Sequence, residues 1–140
     1  MRQVVLVGGV PAPAGGVTTF LRRLMIRDAA RIALLVDLYP GEKESLGPAL
    51  DERIRQLGSP LRLFPWLARH GRAHRDKAFF FNFSTVKAIA PFALTPKPRG
   101  SHWQLMLHHG TLTAPGGAAG MAVRRALGRF DLIYTLSDGQ

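Results

Sequence analysis

Residues 4–24 are the part of the sequence that most constrains the fold, because the hydrophobic period changes within them. Residues 4–7 form a short, β-branched apolar run, which is typical of a strand covered on both faces. From Val17 the apolar residues recur at the spacing of one helix face, through Phe20, Leu21, Leu24 and Met25. A glycine-containing loop that ends in Gly15-Gly16 joins the two runs. The order predicts a buried strand, a glycine loop and an amphipathic helix.

Gly15 and Gly16 stand where the predicted helix begins. The first turn of a helix leaves backbone N–H groups unpaired and carries the positive end of the helix dipole, and glycines would let a phosphate or sugar hydroxyl come close. A tight turn that merely needs glycine conformations would explain the same pair. No Walker A lysine follows Gly15, and no Gly-x-Gly-x-x-Gly lies between strand and helix, so the loop favours neither a P-loop NTPase nor a dinucleotide-binding fingerprint.

The same alternation continues to the end of the chain. Further strands are predicted at residues 32–38, 61–64, 77–81, 103–107 and 132–136, and further helices at 46–57, 86–94 and 121–127. Strands that alternate with helices call for a parallel sheet covered by helices on both faces. At 140 residues, a single α/β domain spanning residues 1–140 is expected.

Polar residues follow several of these predicted strands. Because the carboxyl ends of parallel strands meet at one edge, these residues are expected to converge on a ligand site. They are Asp37 and Tyr39 after the second strand, Asn82 and Ser84 after the fourth, His108 and His109 after the fifth, and Ser137 after the sixth. Helix capping would equally explain Asn82, Ser84 and Ser137.

The His108-His109 pair is not predicted to bind a metal. Adjacent residues of a strand point to opposite faces, and neither a carboxylate nor a third histidine lies nearby in the sequence. A histidine at the end of a buried strand suits hydrogen bonding to a sugar hydroxyl or proton transfer. His109 is favoured over His108 for this role because it precedes Gly110, which would let a ligand approach.

The chain is strongly basic, with 19 Lys and Arg against 9 Asp and Glu and a formal net charge of +10. This charge favours anionic partners, although an arginine-rich surface without a dedicated partner would also produce it. The absence of cysteine excludes disulfides, thiolate catalysis and cysteine-bound metals. No secretory leader and no apolar run of roughly 18 residues is present, so a cytoplasmic location is expected.

Four segments, in this order, resemble the N-terminal domain of GT-B-fold glycosyltransferases of the "group 1" type. They are Gly15-Gly16-Val17 with Leu21-Arg22-Arg23-Leu24, Phe80-Phe81-Asn82-Phe83-Ser84, Leu107-His108-His109-Gly110, and Arg129-Phe130-Asp131-Leu132-Ile133-Tyr134-Thr135-Leu136-Ser137. The resemblance implies a Rossmann-like domain. It also implies that residues 1–140 are the incomplete, acceptor-side N-terminal half of a GT-B fold, without the C-terminal Rossmann-like domain.

The resemblance implies a retaining, metal-independent transferase that moves a sugar from a nucleotide-sugar donor to a sugar or lipid-linked acceptor. Residues 1–140 alone are then expected to be inactive. No cofactor and no metal is implied. The catalytic residue is His109, and the substrate-binding residues are Gly15, Gly16, Asn82, Ser84, Gly110 and Ser137.

A second hypothesis comes from a different class of protein. The chain would be a stand-alone basic α/β module that binds nucleotides, polyanions or an anionic membrane surface. Peripheral contact with the anionic inner face of the membrane is a further predicted interaction, and nucleic acid is not an expected partner.

Overall fold

The computed structural model describes residues 3–9, 16–41, 45–83, 86–108 and 117–135. Six strands form one sheet in the order β3-β2-β1-β4-β5-β6, and every neighbouring pair is parallel. They are β1 Val4–Gly8, β2 Ile32–Asp37, β3 Ile54–Gln56, β4 Ala78–Phe83, β5 His102–Leu107 and β6 Leu132–Thr135. The predicted α/β fold with a Rossmann-like parallel sheet is confirmed.

Helices connect the strands. The α-helices are α1 Gly16–Arg27, α2 Pro48–Asp51, α3 Leu63–His70 and α4 Gly117–Leu127, and the 3₁₀ segments are Ala29–Arg31, Pro60–Arg62, Gly71–His74 and Val86–Leu94. The helix predicted at residues 86–94 is therefore present, as a 3₁₀ helix with Pro91 inside it. Proline has no N–H to give to an i−4 carbonyl, which disfavours a regular α-helix there. In the described ranges, none of the helices has the length and hydropathy needed to cross a bilayer.

Apolar clusters lie on both faces of the sheet, because successive strand residues point to opposite sides. On one face, Leu21 and Met25 of α1 pack with Leu6 and Leu35. On the other face, Val5 and Val7 join a larger, aromatic-rich cluster. The Phe81 ring is edge-on to three others in this cluster and is centred 4.9 Å from Phe92, 5.3 Å from Trp103 and 5.8 Å from Phe130. Helices therefore cover the sheet from both sides, as predicted.

Asp131 fixes the position of β6 against β5. Its Oδ2 accepts hydrogen bonds from the Trp103 backbone N–H at 2.7 Å and from Lys97 Nζ at 2.9 Å, and its own N–H donates to the Trp103 carbonyl at 2.7 Å. Burial alone would raise the pKa of Asp131, but these hydrogen bonds and the charge of Lys97 outweigh it and lower the pKa.

The third predicted strand is wrong, and so is most of the helix predicted before it. Residues 61–64 belong to a 3₁₀ turn and to α3, where Leu63 and Leu67, four residues apart, are both buried at helical spacing. The third strand is Ile54–Gln56, within the stretch predicted as a helix over 46–57, and only the single turn α2 remains of that helix. β3 is stabilised by parallel pairing with β2, which local periodicity does not encode.

The strand order reverses between β1 and β4. The chain goes from β1 outward to β2 and β3, and then returns to the other side of β1 to form β4, β5 and β6. In doubly wound sheets of this order, a crevice opens beyond the carboxyl ends of the strands at the reversal point, and ligands bind there.

Candidate functional site at the carboxyl edge

The carboxyl ends of β1, β2, β4 and β5 bring together a small set of residues that we call the carboxyl-edge site. It consists of Gly9, Asp37, Tyr39, Asn82, His108 and the N-terminus of α1. The topology explains why these residues share one edge, because parallel strands with crossover connections all end at the same edge of the sheet.

Gly9, directly after β1, lies against Asp37 and Tyr39 at the end of β2. A Cβ atom at this position would overlap the Tyr39 ring and would lie 2.9 Å from Asp37 Oδ1. Only glycine fits without displacing these neighbours. The backbone after β1 is therefore in direct contact with the residues that end β2.

Asp37 is the last residue of β2 and is fully buried. Its Oδ1 accepts the backbone N–H of Tyr39 at 3.0 Å, and its backbone carbonyl accepts the N–H of Leu57 at 2.8 Å. Partial burial of the Tyr39 hydroxyl, together with the negative charge of Asp37, raises the pKa of Tyr39. The site thus contains a buried carboxylate whose orientation the surrounding backbone fixes.

Asn82 links three strands from a fully buried position in β4. Its Nδ2 donates to the carbonyls of Val7 at 3.3 Å and of Phe80 at 3.1 Å, and its Oδ1 lies 3.0 Å from His108 Nε2. Since an amide oxygen cannot face two carbonyl oxygens favourably, these contacts determine the orientation of the amide. Oδ1 must then accept, so the Nε2 atom of His108 carries a proton and donates it.

His108 is buried directly after β5, and its ring meets α1. The Phe20 ring lies edge-on to the imidazole with centroids 5.2 Å apart. The ring is thus held by Asn82 on one side and by Phe20 on another, which fixes its position and tautomer. Such a histidine can hold neighbouring side chains in place, but its Nε2 proton is already donated to Asn82 Oδ1.

The N-terminus of α1 lies at the same edge, because β1 leads into this helix. The helix begins at Gly16, and its unpaired N–H groups and positive dipole end are suited to an anion. Arg22 lies about 9 Å further along the helix axis at the usual helical rise. The predicted influence of Arg22 or Arg23 on a bound anion stays a prediction.

Two of the seven predicted site residues lie among the residues that the structure describes. Gly16 and Asn82 both lie at the carboxyl edge, as expected from the topology. The others lie outside the described residues, and their roles stay predictions: Gly15, Ser84, His109, Gly110 and Ser137. The predicted role of Asn82 in substrate binding also stays a prediction, and its side chain makes three hydrogen bonds within the protein.

Four residues of the site, Gly9, Asp37, Tyr39 and His108, are not among the predicted catalytic and substrate-binding residues. The signal for Asp37 is its position at the end of the second strand, about 20 residues after the glycine loop, where a ribose-binding acid usually stands. The position of His109 before Gly110 favours His109 over His108 in the sequence. The sequence carries no signal for the contact between His108 and Asn82. In the described ranges, no group of three or more His, Asp or Glu is arranged to hold a metal ion.

Comparison with solved structures supports the fold. A short-chain dehydrogenase/reductase from Burkholderia vietnamiensis aligns with 99% of this chain and 84% of its own chain, with a TM-score of 0.54 and 14% sequence identity. At this identity the similarity shows the Rossmann-like fold. No protein-family model and no curated protein matches the sequence.

These findings overturn the predicted glycosyltransferase resemblance. The structural neighbour is a dehydrogenase/reductase, so membership of the GT-B glycosyltransferases and the retaining sugar-transferase activity are both wrong. The segments that suggested them, such as Phe80-Phe81-Asn82 and Leu107-His108, are strand ends of a Rossmann-like sheet. Glycines and polar residues gather at such ends in many unrelated α/β proteins.

Proposed function

We propose that this chain is a nucleotide-binding α/β domain with its binding site at the carboxyl edge, beyond the ends of β1 and β2. The observation that carries the proposal is the buried Asp37 carboxylate at the end of β2, in contact with the end of β1 at Gly9. In sheets of the order 3-2-1-4-5-6, an acid at this position accepts hydrogen bonds from ribose hydroxyls. The strand order of this sheet is the same.

The N-terminus of α1 supplies the second half of the proposed site. In this fold the diphosphate of a nucleotide lies against the N-terminus of the first helix, where unpaired N–H groups and the helix dipole favour negative charge. Helix α1 follows β1 through the glycine-rich loop and begins at Gly16. A ligand with a ribose and a diphosphate could therefore contact Asp37 and α1 together.

Tyr39 would control access to Asp37. Its ring lies against Gly9, and its backbone N–H is bonded to the carboxylate. Because Asp37 is fully buried, a ribose could reach it only if the partly exposed Tyr39 ring moved aside. We therefore expect Tyr39 to change its environment when a nucleotide binds.

The ligand class is a nucleoside diphosphate or a molecule that contains one. The dehydrogenase/reductase neighbour supports only the fold, and this chain lacks the Gly-x-Gly-x-x-Gly fingerprint of dinucleotide sites. A free ribose 2′-hydroxyl and a diphosphate are the groups that Asp37 and α1 would recognise. The expected cytoplasmic location is compatible with such a ligand and stays a prediction.

The test is calorimetric titration of the full chain with ADP, NAD⁺ and 2′-deoxy-ADP. We expect ADP to bind, and Asp37→Asn to weaken its binding at least about tenfold, since hydrogen bonds to a charged group are among the stronger ones. The matched control is Asp76→Asn, which removes an exposed carboxylate just before β4, at the opposite edge.

The deoxynucleotide keeps the test valid if Asp37→Asn alters folding. With the unmodified chain, 2′-deoxy-ADP should bind more weakly than ADP, because one ribose donor is missing. The proposal is refuted if none of the three nucleotides binds, or if ADP and 2′-deoxy-ADP bind equally and Asp37→Asn has no larger effect than Asp76→Asn.

A further inference from the structure

The outer side of α4 and the 3₁₀ helix Val86–Leu94 form an open groove of about 680 Å³. Two large apolar side chains at this groove are exposed to solvent, Leu94 to 86% and Met121 to 66%. Arg124 and Arg125 also line it, and small alanines form the rest. We call Leu94, Met121, Arg124 and Arg125 the basic-apolar surface.

The helical period places the α4 members of this surface on one outward side. Met121, Arg124 and Arg125 are related by i, i+3 and i+4 and are all exposed, whereas Val123 and Ala126 are buried against the core. Methionine and leucine exposed to this extent do not contribute to the core of the domain. Their burial against a partner would be favourable.

The surrounding sequence is free of negative charge. From Lys77 to Phe130 there is no aspartate or glutamate. The basic residues of the same stretch are Lys77, Lys87, Lys97, Arg99, Arg124, Arg125 and Arg129. Asp131, the next acid along the chain, is paired with Lys97. The groove therefore lies in a stretch whose formal charges are all positive, within a chain whose net charge is +10.

We propose that the basic-apolar surface docks on an anionic lipid bilayer. Leu94 and Met121 would enter the headgroup boundary, and Arg124 and Arg125 would pair with lipid phosphates. Charge complementarity identifies an anionic partner. The exposed apolar groups are aliphatic, which suits acyl chains, whereas single-stranded nucleic acid is bound chiefly by aromatic stacking. This interaction is separate from nucleotide binding at the carboxyl edge.

The test is co-sedimentation of the full chain with vesicles of phosphatidylcholine, with and without phosphatidylglycerol. We expect binding only to the anionic vesicles. Arg124→Gln/Arg125→Gln should weaken it roughly 30-fold, from about 1 kcal/mol for each cation at a membrane surface. The matched control Arg27→Gln/Arg31→Gln removes two exposed arginines from α1 and the 3₁₀ turn that follows it, and should retain binding to within a few-fold.

The apolar contribution has its own pair of variants. Leu94→Trp should show a blue-shifted emission on anionic vesicles, and Leu61→Trp, at a 74% exposed position outside the groove, should not. All these positions are exposed, and circular dichroism checks that the variants fold. The proposal is overturned if the chain does not bind anionic vesicles or if both arginine pairs matter equally. It is also overturned if the Leu94→Trp emission does not shift, or if the arginine variants impair binding to an oligonucleotide and not to vesicles.

Discussion

Asn82→Ala tests whether the carboxyl edge is held together by a buried amide. The substitution removes two hydrogen bonds to carbonyls, on Val7 and Phe80, and one from His108 Nε2. A typical hydrogen bond contributes about 1 kcal/mol net, and a buried donor left without a partner costs about 1–3 kcal/mol. We therefore expect the free energy of unfolding to fall by about 3 kcal/mol.

A loss of this size is easy to measure. Small domains have unfolding free energies of about 5–15 kcal/mol, and urea slopes of about 1–3 kcal/mol per molar are usual. Urea unfolding followed by tryptophan fluorescence should show the midpoint lowered by roughly 1.5 M, with an unchanged slope. The control is Gln104→Ala on the neighbouring strand β5. Its partly buried amide makes a hydrogen bond to His102, and its loss should cost about 0.5 kcal/mol.

The result also distinguishes a structural Asn82 from a ligand-binding one. If the amide serves the fold, Asn82→Ala lowers stability far more than Gln104→Ala. An unchanged urea midpoint together with a large loss of nucleotide affinity would refute this reasoning. Asn82 would then contact the ligand, as the sequence predicted.

Three further substitutions and one control substitution test other parts of the structure. Gly9→Ala should destabilise the chain by about 1–3 kcal/mol and weaken ADP binding, because the new Cβ overlaps the Tyr39 ring. Gly71→Ala, whose Cβ would meet only ordinary contacts at 3.6 Å, should be nearly neutral in the same urea and binding assays. Asp131→Ala should cost about 1–2 kcal/mol at pH 7, chiefly from the hydrogen bond to a buried backbone N–H, since the ion pair at this 40% exposed side chain is screened by solvent. The folded-state pKa of Asp131 lies below its ordinary value of 3.8. The stability that Asp131 contributes is therefore complete above about pH 4 and is lost as the pH falls through the lowered pKa. If Asp131→Ala cost as much stability at pH 2 as at pH 7, this reasoning would be contradicted. Phe92→Ala should cost about 3–5 kcal/mol, since the ring is fully buried among aromatic neighbours, and a thermal melt that changes little would contradict the described packing.

The sequence predicts those strands that coincide with short, mainly apolar runs, whether the strand is buried, as β1 is, or exposed, as β6 is. β1 is a continuous apolar run, β2 and β4 are nearly continuous ones, and β5 alternates, with Trp103, Leu105 and Leu107 buried. β3 has no such pattern, since Arg55 and Gln56 are exposed and Ile54 is only partly buried. Its strand conformation depends on hydrogen bonding to β2, a contact between distant residues that local patterns do not contain.

The candidate site, too, depends on contacts between distant residues that local sequence patterns do not contain. Parallel topology predicts that Asn82 and the residues after β5 meet at one edge, because that inference needs only the direction of the strands. The same topology does not predict which side chain contacts Asn82. Asn82 Oδ1 meets His108 Nε2 at 3.0 Å, and the ring of Phe20 confines the imidazole. Both contacts depend on strand register and helix position, which are set by the packing of the whole domain.

The two proposed interactions should be independent of each other. Helix α4 packs on the sheet through Val123 and Ala126, while Met121 and Arg124 point outward, so a bilayer could contact α4 without displacing the strand ends. Coupling would require a change in this packing, and the membrane contacts proposed here supply no preference between two packings. The dissociation constant for ADP should therefore be the same within a few-fold for the free and the vesicle-bound chain. A tenfold difference in equilibrium dialysis would show that bilayer contact reaches the carboxyl-edge site.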